Sequence, residues 1–367
     1  MKIIAFYLPQ FYSFPENDKW WGKGFTEWTN TRKAIAQFKG HYQPRVPFNK
    51  NYYNLTEKKN IEWQVKLAKE NGVYGFCFYH YWFKGGKQLL EKPVELFLNN
   101  ADLDIPFCLS WANEPWTRSW DGANKAVIMP QEYGEESEWK QHFEYLLPYF
   151  KDKRYLRIDG KPVFVFYRPE IFPELDKMIR FWNTLAKNSG FEGLTWMIQG
   201  PQWCADVSND SELIDYKIMY EPGFTGNISD KDVGFSFLMS RYFTKIRRKL
   251  DPHNNINKMS YRAYAKNIIN RIPPSEKYIP GFFPDWDNTA RRGSDANVFL
   301  GSTPDVFREN LIKLIERTKE DYKKDIIFIN AWNEWAEGCY LEPDEKFGDG
   351  YLRAIKDALI ETDEWES

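Results

Sequence analysis

The sequence predicts an α/β protein, a (β/α)8 TIM barrel with long strand-to-helix loops. Eight short apolar runs rich in Ile, Val, Phe and Tyr recur along the 367 residues, and helical patterns fall between most of them. Near-continuous apolar strands are typical of parallel sheets covered on both faces, and their alternation with helices favours a barrel. A doubly wound open sheet is the rival fold, but no G-x-G-x-x-G turn follows the first strand.

The boundaries of the elements follow from local signals. Thr56 predicts the start of one helix, with Gly72 just past its end, and Thr303 followed by Pro304 predicts another start. A further helix is predicted near Glu170–Lys187. The eight predicted strands are Ile3–Leu8, Gly75–Tyr81, Pro106–Trp111, Pro162–Tyr167, Leu194–Gln199, Tyr216–Tyr220, Tyr278–Phe283 and Ile326–Trp332.

We expect one catalytic barrel domain over residues 1–367, with two long connections. Residues 10–53 are crowded with Trp, Tyr, Gly and Pro, which predicts an ordered functional loop. The second connection is a basic insertion at about 223–277. Two interpretations of its basic segment 241–271 remain open: a solvated helical excursion, or a docking face for an anionic lipid carrier or a membrane surface.

The composition favours a carbohydrate partner. Lys and Arg total 50 against 52 Asp and Glu, which argues against a general affinity for nucleic acid. The chain has 16 Trp, 22 Tyr and 28 Phe, more indole groups than a core requires, since a buried indole N–H needs a partner. Aromatic faces beside polar groups suit sugars, which have apolar C–H faces rimmed by hydroxyls. A large aromatic core is the alternative reading.

Neither a metal nor another cofactor is expected. Cys77, Cys108, Cys204 and Cys339 form no C-x-x-C pair, which predicts buried free thiols and a reducing compartment. The four histidines show no metal-ligand spacing. The N-terminus runs directly into a strand, and no apolar stretch is long enough for a transmembrane helix. A cytoplasmic location is therefore expected.

The residues that follow the predicted strands are the candidate site, because catalytic groups of such barrels lie at the carboxyl ends of the strands. Each predicted strand leads into polar and aromatic residues, and the first long loop adds Trp28. The candidate substrate-binding residues are Tyr7, Gln10, Trp28, His80, Trp82, Trp111, Asn113, Glu114, Trp116, Tyr220, Glu221, Asp285, Trp286, Asn333 and Trp335.

Packing roles remain open for several of these candidates. His80 is also compatible with a satisfied histidine at the barrel rim, and Trp28 with a loop-pinning role beside Glu27. Asp285 and Asp287 fit either sugar hydroxyls or the cap of the next helix. The remaining open choice, stacking platform or ordinary packing, concerns the tryptophans Trp111, Trp116 and Trp120.

Glu334 and Glu337 are the candidate catalytic pair. Cleavage of a glycosidic bond typically needs two carboxyl groups, one to protonate the leaving oxygen and one to assist at the anomeric carbon. A spacing of three places both on one side of a helical turn or tight loop. Trp332, Asn333 and Trp335 are expected to desolvate one carboxyl partly, which raises its pKa and suits it to act as the acid.

Several motifs resemble glycoside hydrolase family 99 and its WbsX-like relatives. These are the opening YLPQFY, the segment Asn333–Gly338 and the following Tyr340–Pro343. Two further segments, Lys19–Asn30 and Ser110–Gly122, look closer to the WbsX-like branch. The resemblance covers nearly the whole chain. Family 99 contains endo-acting α-1,2-mannan and mannoside hydrolases, and the WbsX-like proteins occur in bacterial polysaccharide and O-antigen clusters.

The resemblance implies a role for each glutamate. Glu337 matches the acid/base, which protonates the departing oxygen and then deprotonates water. Glu334 matches the residue that deprotonates the substrate's own 2-hydroxyl, which attacks the anomeric carbon to give a 1,2-anhydro sugar with retention. Ala336 stands where the mannan-active enzymes typically have His, which predicts a substrate other than simple mannan.

Three functions are compared. The first is a glycoside hydrolase of a bacterial polysaccharide or oligosaccharide. The second is a glycosyltransferase or transglycosylase in O-antigen, lipopolysaccharide or capsule biosynthesis, although the D-W-D at Asp285–Asp287 is the only near match to a nucleotide-sugar metal motif. The third is a non-catalytic carbohydrate-binding barrel. Glu114, in an Asn-Glu-Pro sequence, is a minority candidate for the acid/base and otherwise a hydroxyl ligand.

Overall fold

The computed structural model of the chain describes residues 1–117, 126–200, 212–226 and 256–365, together with the single positions 239, 242 and 246. Trp120, Cys204 and part of the basic segment 241–271 therefore lie outside the described residues. In the described part of that segment, a strand at Asn257–Ser260 pairs with Asn297–Leu300, and the helix that follows buries one face against the barrel.

Eight parallel strand positions form a closed barrel. β7 is interrupted at Pro280, and its first half pairs with β6 while its second half pairs with β8, which also pairs with β1. The strands in chain order are β1 Lys2–Tyr7, β2 Val73–Phe83, β3 Phe107–Trp111, β4 Lys161–Phe166, β5 Thr195–Gly200, β6 Tyr216–Met219, β7 Tyr278–Ile279 with Gly281–Phe282, and β8 Ile326–Ile329.

The main barrel helices pack outside the strands. Each buries one apolar stripe and leaves a polar face to solvent. They are α1 Lys58–Glu70, α2 Lys92–Leu98, α3 Glu136–Lys151, α4 Leu175–Asn188, α5 Tyr261–Asn270, α6 Pro304–Glu320 and α7 Gly350–Glu361.

The loops contain further short helices, 3₁₀ turns and short strands. The short helices are Pro15–Trp21, Glu27–Lys33, Gly223–Gly226 and Thr289–Arg292, and the 3₁₀ turns are Phe48–Lys50, Lys84–Gly86, Pro169–Ile171, Gly293–Asp295 and Trp335–Glu337. The short strands are Lys87–Leu89, Trp116–Thr117, Val127–Met129, Arg157–Ile158, Asn257–Ser260, Asn297–Leu300, Asn333–Glu334 and Cys339–Tyr340.

The predicted barrel is confirmed, and its strands fall within a few residues of the predicted positions. Thr303 caps α6 as predicted, since its side chain accepts from the Val306 N–H. The prediction for Thr56 is wrong: α1 begins at Lys58, and the Thr56 hydroxyl donates to Asn54 instead. The helix predicted from Glu170 begins later, at Leu175, because Pro169 opens a separate 3₁₀ turn.

One continuous apolar core fills the barrel and the space beneath the helices. Cys77, Cys108 and Cys339 are buried free thiols, as predicted for these three. Within the described part of the chain, no helix is both long and apolar enough to cross a bilayer.

Candidate active site

A cavity of about 680 Å³ opens at the carboxyl ends of the barrel strands. This volume lies within the range of small-molecule sites. Its wall combines rings that carry polar tips with charged groups. The rings are Tyr79, Tyr81, Trp116, Tyr133, Tyr167 and Tyr220, and the charged residues are Glu114, Arg168, Arg291, Arg292, Glu334 and Glu337.

Glu334 and Glu337 lie on a tight hairpin directly after β8. Asn333–Glu334 pairs antiparallel with Cys339–Tyr340, and a 3₁₀ turn from Trp335 to Glu337 connects the two. Gly338 closes the turn at a φ of 60°, where a side chain would meet Asp287. The Glu334 side chain is 9% exposed and that of Glu337 is 20% exposed. Both carboxyls therefore face the cavity from a rigid support.

Arg291 joins the two glutamates. Its Nη1 donates to Glu337 Oε1 over 2.7 Å, and its Nη2 lies 3.1 Å from Glu334 Oε2. The same Nη2 donates to Oε1 of Glu27 over 2.7 Å. Glu27 is fully buried and also accepts from the Ala336 N–H. One guanidinium thus binds three carboxylates that come from the first long loop and from the β8 hairpin.

The electrostatics of this cluster favour retention of a proton. Burial raises the pKa of Glu334 to about 8, because the opposing charge of Arg291 is offset by the negative charges of Glu337 and Glu27. Burial also raises the pKa of Glu337, against the lowering effect of Arg291. Ionisation of both Glu334 and Glu337 is costly in this buried cluster, so the pair holds a proton near neutral pH.

Glu342 supports the hairpin from behind. Its carboxylate accepts from the indoles of Trp332 and Trp335, over 3.0 and 2.7 Å, and from Gln64 and the Tyr53 hydroxyl. Burial raises its pKa to about 7, and the hydrogen bonds, that of Trp335 first, limit the rise. This network fixes the two tryptophans that flank Glu334.

Two asparagines fix the backbone near the cavity. Asn333 accepts from the Leu8 N–H and donates to the Leu8 carbonyl, which ties the hairpin to the end of β1. Asn113 makes the same pair of bonds with the backbone of Arg168. Arg168 then donates to Glu114 Oε2 over 2.9 Å and to Glu170. Burial raises the pKa of Glu114, and Arg168 opposes the rise.

A hydrogen-bonded chain lies under the aromatic wall. Ser110 donates to Gln199, Gln199 donates to the Tyr79 hydroxyl, and Tyr79 donates to the Tyr220 hydroxyl over 3.2 Å. Since Tyr220 accepts from Tyr79, its own O–H is left to donate elsewhere, and Tyr220 lines the cavity.

Asp285 and Asp287, at the end of β7, hold the first long loop in place through hydrogen bonds to its side chains. Arg45 donates to Asp285 over 2.9 Å, and His41 and Gln43 lie 2.8 and 2.9 Å from Asp287 Oδ2. Although burial opposes it, the hydrogen bond from His41 and the charge of Arg45 lower the pKa of Asp287 to about 2. Asp287 Oδ1 also accepts from the N–H and the hydroxyl of Thr289, the first residue of the next short helix, whose N-cap is Asn288. Asp287 thus stabilises the start of that helix without being its N-cap, and Asp285 is an ion-pair partner.

The structure brings five of the predicted site residues to the cavity wall: Glu334, Glu337, Glu114, Trp116 and Tyr220. The others do not line this cavity. Their observed contacts are with protein groups, except that the buried side-chain amide of Gln10 has no hydrogen-bond partner among the described residues. These other residues are Tyr7, Gln10, Trp28, His80, Trp82, Trp111, Asn113, Glu221, Asp285, Trp286, Asn333 and Trp335.

The side-chain alternation of β2 explains part of this difference. Tyr79 and Tyr81 line the cavity, whereas His80 and Trp82 point to the outer face, where both pack on His142 of α3. Desolvation lowers the pKa of His80 to about 3, which fits a neutral packed histidine. His80 is thus placed as the barrel-rim alternative describes.

Arg291, Arg168 and the tyrosines Tyr79, Tyr81, Tyr133 and Tyr167 were not predicted. For Arg168 and Tyr167 the signal was present, since Tyr167 ends a predicted strand and Arg168 directly follows it. Arg291 lies four residues past Asp287, in a short Thr-Ala-Arg-Arg helix, and no sequence pattern marks it.

The comparisons with known proteins concern nearly the whole chain. Residues 3–355 match the family described as Glycosyltransferase WbsX. The uncharacterized protein WxcX of Xanthomonas campestris pv. campestris is 33% identical over 367 residues, which cover 97% of this chain and 49% of WxcX. The chain therefore spans about half the length of the curated relatives it matches.

Two solved structures have a similar fold. A glycoside hydrolase family 99 endo-α-mannosidase from Bacteroides thetaiotaomicron, in complex with BIS-TRIS propane, has a TM-score of 0.55 at 15% identity and covers 98% of this chain and 97% of its own. A glycoside hydrolase-like protein has a TM-score of 0.59 at 15% identity, with coverages of 97% and 93%. These matches agree with the barrel described above.

Proposed function

The chain belongs to the WbsX family, and from that premise we propose that it is a glycan-active enzyme that cleaves a glycosidic bond through Glu334 and Glu337. The substrate is a bacterial polysaccharide or oligosaccharide. The observation that carries the proposal is the pair itself: two carboxyls on one rigid turn, held by Arg291, at the wall of a cavity rich in tyrosine. Paired carboxyls are the usual machinery of glycoside hydrolysis.

The exposures of the two glutamates suit different roles. Glu337 is the more open carboxyl, with 20% of its side chain exposed, and it is the group that must meet both the leaving oxygen and water. We assign it the acid/base role. Glu334, at 9% exposure, is more enclosed and needs to meet only a substrate hydroxyl. We assign it the base that activates the 2-hydroxyl, which gives a 1,2-anhydro sugar and overall retention.

The proton held by the pair has a consequence for this mechanism. Burial raises the pKa of both carboxyls, that of Glu334 to about 8, so the pair holds a proton in the free enzyme. Protonation of the leaving group requires that proton on Glu337, and activation of the 2-hydroxyl requires Glu334 to be ionised. The reaction then needs a pair that is singly protonated, and turnover declines when the pH rises far enough to remove that proton.

A transfer reaction is the second candidate, because the matching family is described as a glycosyltransferase. The same two carboxyls serve transglycosylation when a sugar hydroxyl replaces water as the acceptor. A nucleotide-sugar route is less favoured, since both carboxylates of the D-W-D motif are bonded to Arg45, His41 and Gln43. Action in the cytoplasm on an O-antigen or capsule precursor, and docking of segment 241–271 on a lipid carrier, stay predictions.

Nucleotide dependence tests the proposal. The protein is incubated with the repeat-unit oligosaccharide of the producing strain's polysaccharide, with and without sugar nucleotides, and the products are followed by mass spectrometry. Cleavage or transfer without a nucleotide, absent from Glu334→Gln and Glu337→Gln, is the expected result. Product that forms only with a sugar nucleotide would contradict it. Binding without any turnover in the wild-type protein would instead support the non-catalytic barrel.

A further inference from the structure

A second groove lies on the first long loop, separate from the catalytic cavity. It encloses about 610 Å³ and is lined by residues of the short helix Glu27–Lys33, the segment 48–52 and α1. Phe48 is 48% exposed there, and Tyr52 and Trp63 are half-buried. Single exposed apolar residues are ordinary, but three aromatic rings in one groove form a platform for a ligand with apolar faces.

The groove is positively charged. Arg32 and Lys50 are both exposed and both line it, and none of its seven lining residues is acidic. The Arg32 guanidinium carbon lies 3.7 Å from the centre of the Tyr52 ring, which holds the side chain flat against the wall. In a chain whose formal net charge is −2, a local concentration of cations favours an anionic ligand.

Lys50 adopts a backbone conformation that suits glycine better. Asn49 and Lys50 have φ values of 53° and 54°, two left-handed residues in succession. Asn tolerates this region, whereas for Lys it costs conformational energy that Gly would avoid. Such strain marks places where a side chain is retained for its chemistry. Here the retained side chain is a lysine that lines the groove.

The groove is held by the same framework that supports the catalytic hairpin. The Phe48 N–H donates to the Pro343 carbonyl over 3.0 Å, just past the segment that carries Glu342. Trp28 packs between Tyr52 of the groove and Trp335 of the hairpin, with ring centres 5.2 and 5.3 Å away. The groove is therefore preformed and adjoins the wall behind the catalytic cavity.

We propose that this groove is a secondary binding site for an acidic saccharide, one whose sugar ring carries a carboxylate. The aromatic rings pack on the C–H face of the sugar, and Arg32 and Lys50 bind its carboxylate, Arg32 by two parallel hydrogen bonds. The site goes beyond the proposed catalytic function and does not depend on it.

The indole N–H signal of Trp63 in a ¹⁵N NMR spectrum reports on the groove, and its assignment follows from Trp63→Phe. Trigalacturonate is the acidic probe, mannotriose the neutral sugar, and triglutamate a non-sugar polyanion. We expect trigalacturonate alone to shift the signal at saturation. Lys50→Gly and Arg32→Gln should each weaken its affinity by about tenfold, since each removes one charged hydrogen-bond donor.

Two controls keep the test decisive. Lys50→Gly relieves the left-handed strain, so its unfolding temperature should not fall, and weaker binding is then not caused by unfolding. Lys33→Gln removes an exposed charge next to Arg32 but outside the groove, and should leave binding unchanged. An equal shift with mannotriose or triglutamate, no shift with trigalacturonate, or full binding by both groove variants would overturn the proposal. The test measures binding and not turnover, so its failure would contradict the groove proposal without affecting the catalytic proposal.

Discussion

Arg291 Nη1 donates to Glu337 Oε1 over 2.7 Å and thereby joins the segment after β7 to the hairpin after β8. Both side chains lie at the cavity wall. The bond places a permanent positive charge beside the proposed acid/base, and the arginine is itself only 10% exposed. The position and the charge of the proposed acid therefore depend on a residue of another strand's loop.

Replacing this arginine should damage both stability and turnover. Arg291→Gln leaves Glu27 buried without its cation, and loss of one partner of a buried pair typically costs about 3–5 kcal/mol. Turnover should fall by about 10²-fold or more, since the proposed acid and base lose their common anchor. Urea unfolding and initial rates measure the two effects.

The matched control is Arg292→Gln, which removes the neighbouring exposed arginine and should leave stability nearly unchanged. Adding Glu27→Gln to Arg291→Gln should restore part of the stability but not the turnover. An Arg291→Gln variant as stable as Arg292→Gln would show that the three carboxylates do not rely on this cation.

The pKa of Glu334 predicts how stability changes with pH. Its folded pKa of about 8 lies above the ordinary 4.5. Between these values the folded chain holds a proton that the unfolded chain has released. The contribution of this group to stability is thus complete below about pH 4.5 and is lost as the pH rises to 8. Glu334→Gln removes the titration, so the variant should gain stability relative to wild type over this range. A pH-independent difference would contradict the shift.

The carboxylate of Glu342 should stabilise the hairpin that carries Glu334 and Glu337. Glu342→Gln offers an amide N–H₂ to groups that are themselves donors, including the Trp332 and Trp335 indoles. An unsatisfied buried donor typically costs about 1–3 kcal/mol, so we expect a loss of that size in urea unfolding. Glu345→Gln, an exposed glutamate three residues on, is the control. Equal stability of the two variants would refute the role.

Alanine should destabilise the protein more at Gly338 than at Gly348, a glycine with a similar backbone conformation. Gly338 and Gly348 have φ values of 60° and 58°, so alanine strains both alike. A Cβ at Gly338 would lie 2.9 Å from that of Asp287, whereas one at Gly348 meets nothing within 4 Å. Gly338→Ala should lose more stability than Gly348→Ala, which costs about 1 kcal/mol, and should also lower turnover because the turn carrying Glu337 moves. Parallel unfolding curves and rates for the two variants decide this.

The fold and the central pair were predictable because their signals are local. Each barrel strand is a short apolar run, and Glu334 and Glu337 are three residues apart in one motif. The ion pairs were not predictable, since Arg291 is 264 positions from Glu27 and Arg45 is 240 from Asp285. Only the folded barrel shows that the two aspartates already have cationic partners.

Which side chains of β2 face the barrel axis was also not predictable from the sequence. Residues 73–83 read VYGFCFYHYWF, and all but Tyr74 are buried in the structure. A strand covered on both faces has no hydrophobic alternation, so its pattern does not tell which side chains face the barrel axis. Without that alternation, the sequence analysis assigned His80 and Trp82 to the site, whereas Tyr79 and Tyr81 line the cavity.

The most direct test of the catalytic assignment is the rate of glycosidic cleavage by Glu334→Gln, Glu337→Gln and Glu114→Gln, measured side by side on one cognate oligosaccharide without any nucleotide. Glu114 lines the same cavity and has a raised pKa, so it is the strongest rival. The assignment predicts a loss of about 10²–10⁴-fold for each of the first two variants and a clearly smaller loss for the third. Wild-type rates in either Glu334→Gln or Glu337→Gln, together with an inactive Glu114→Gln, would contradict it.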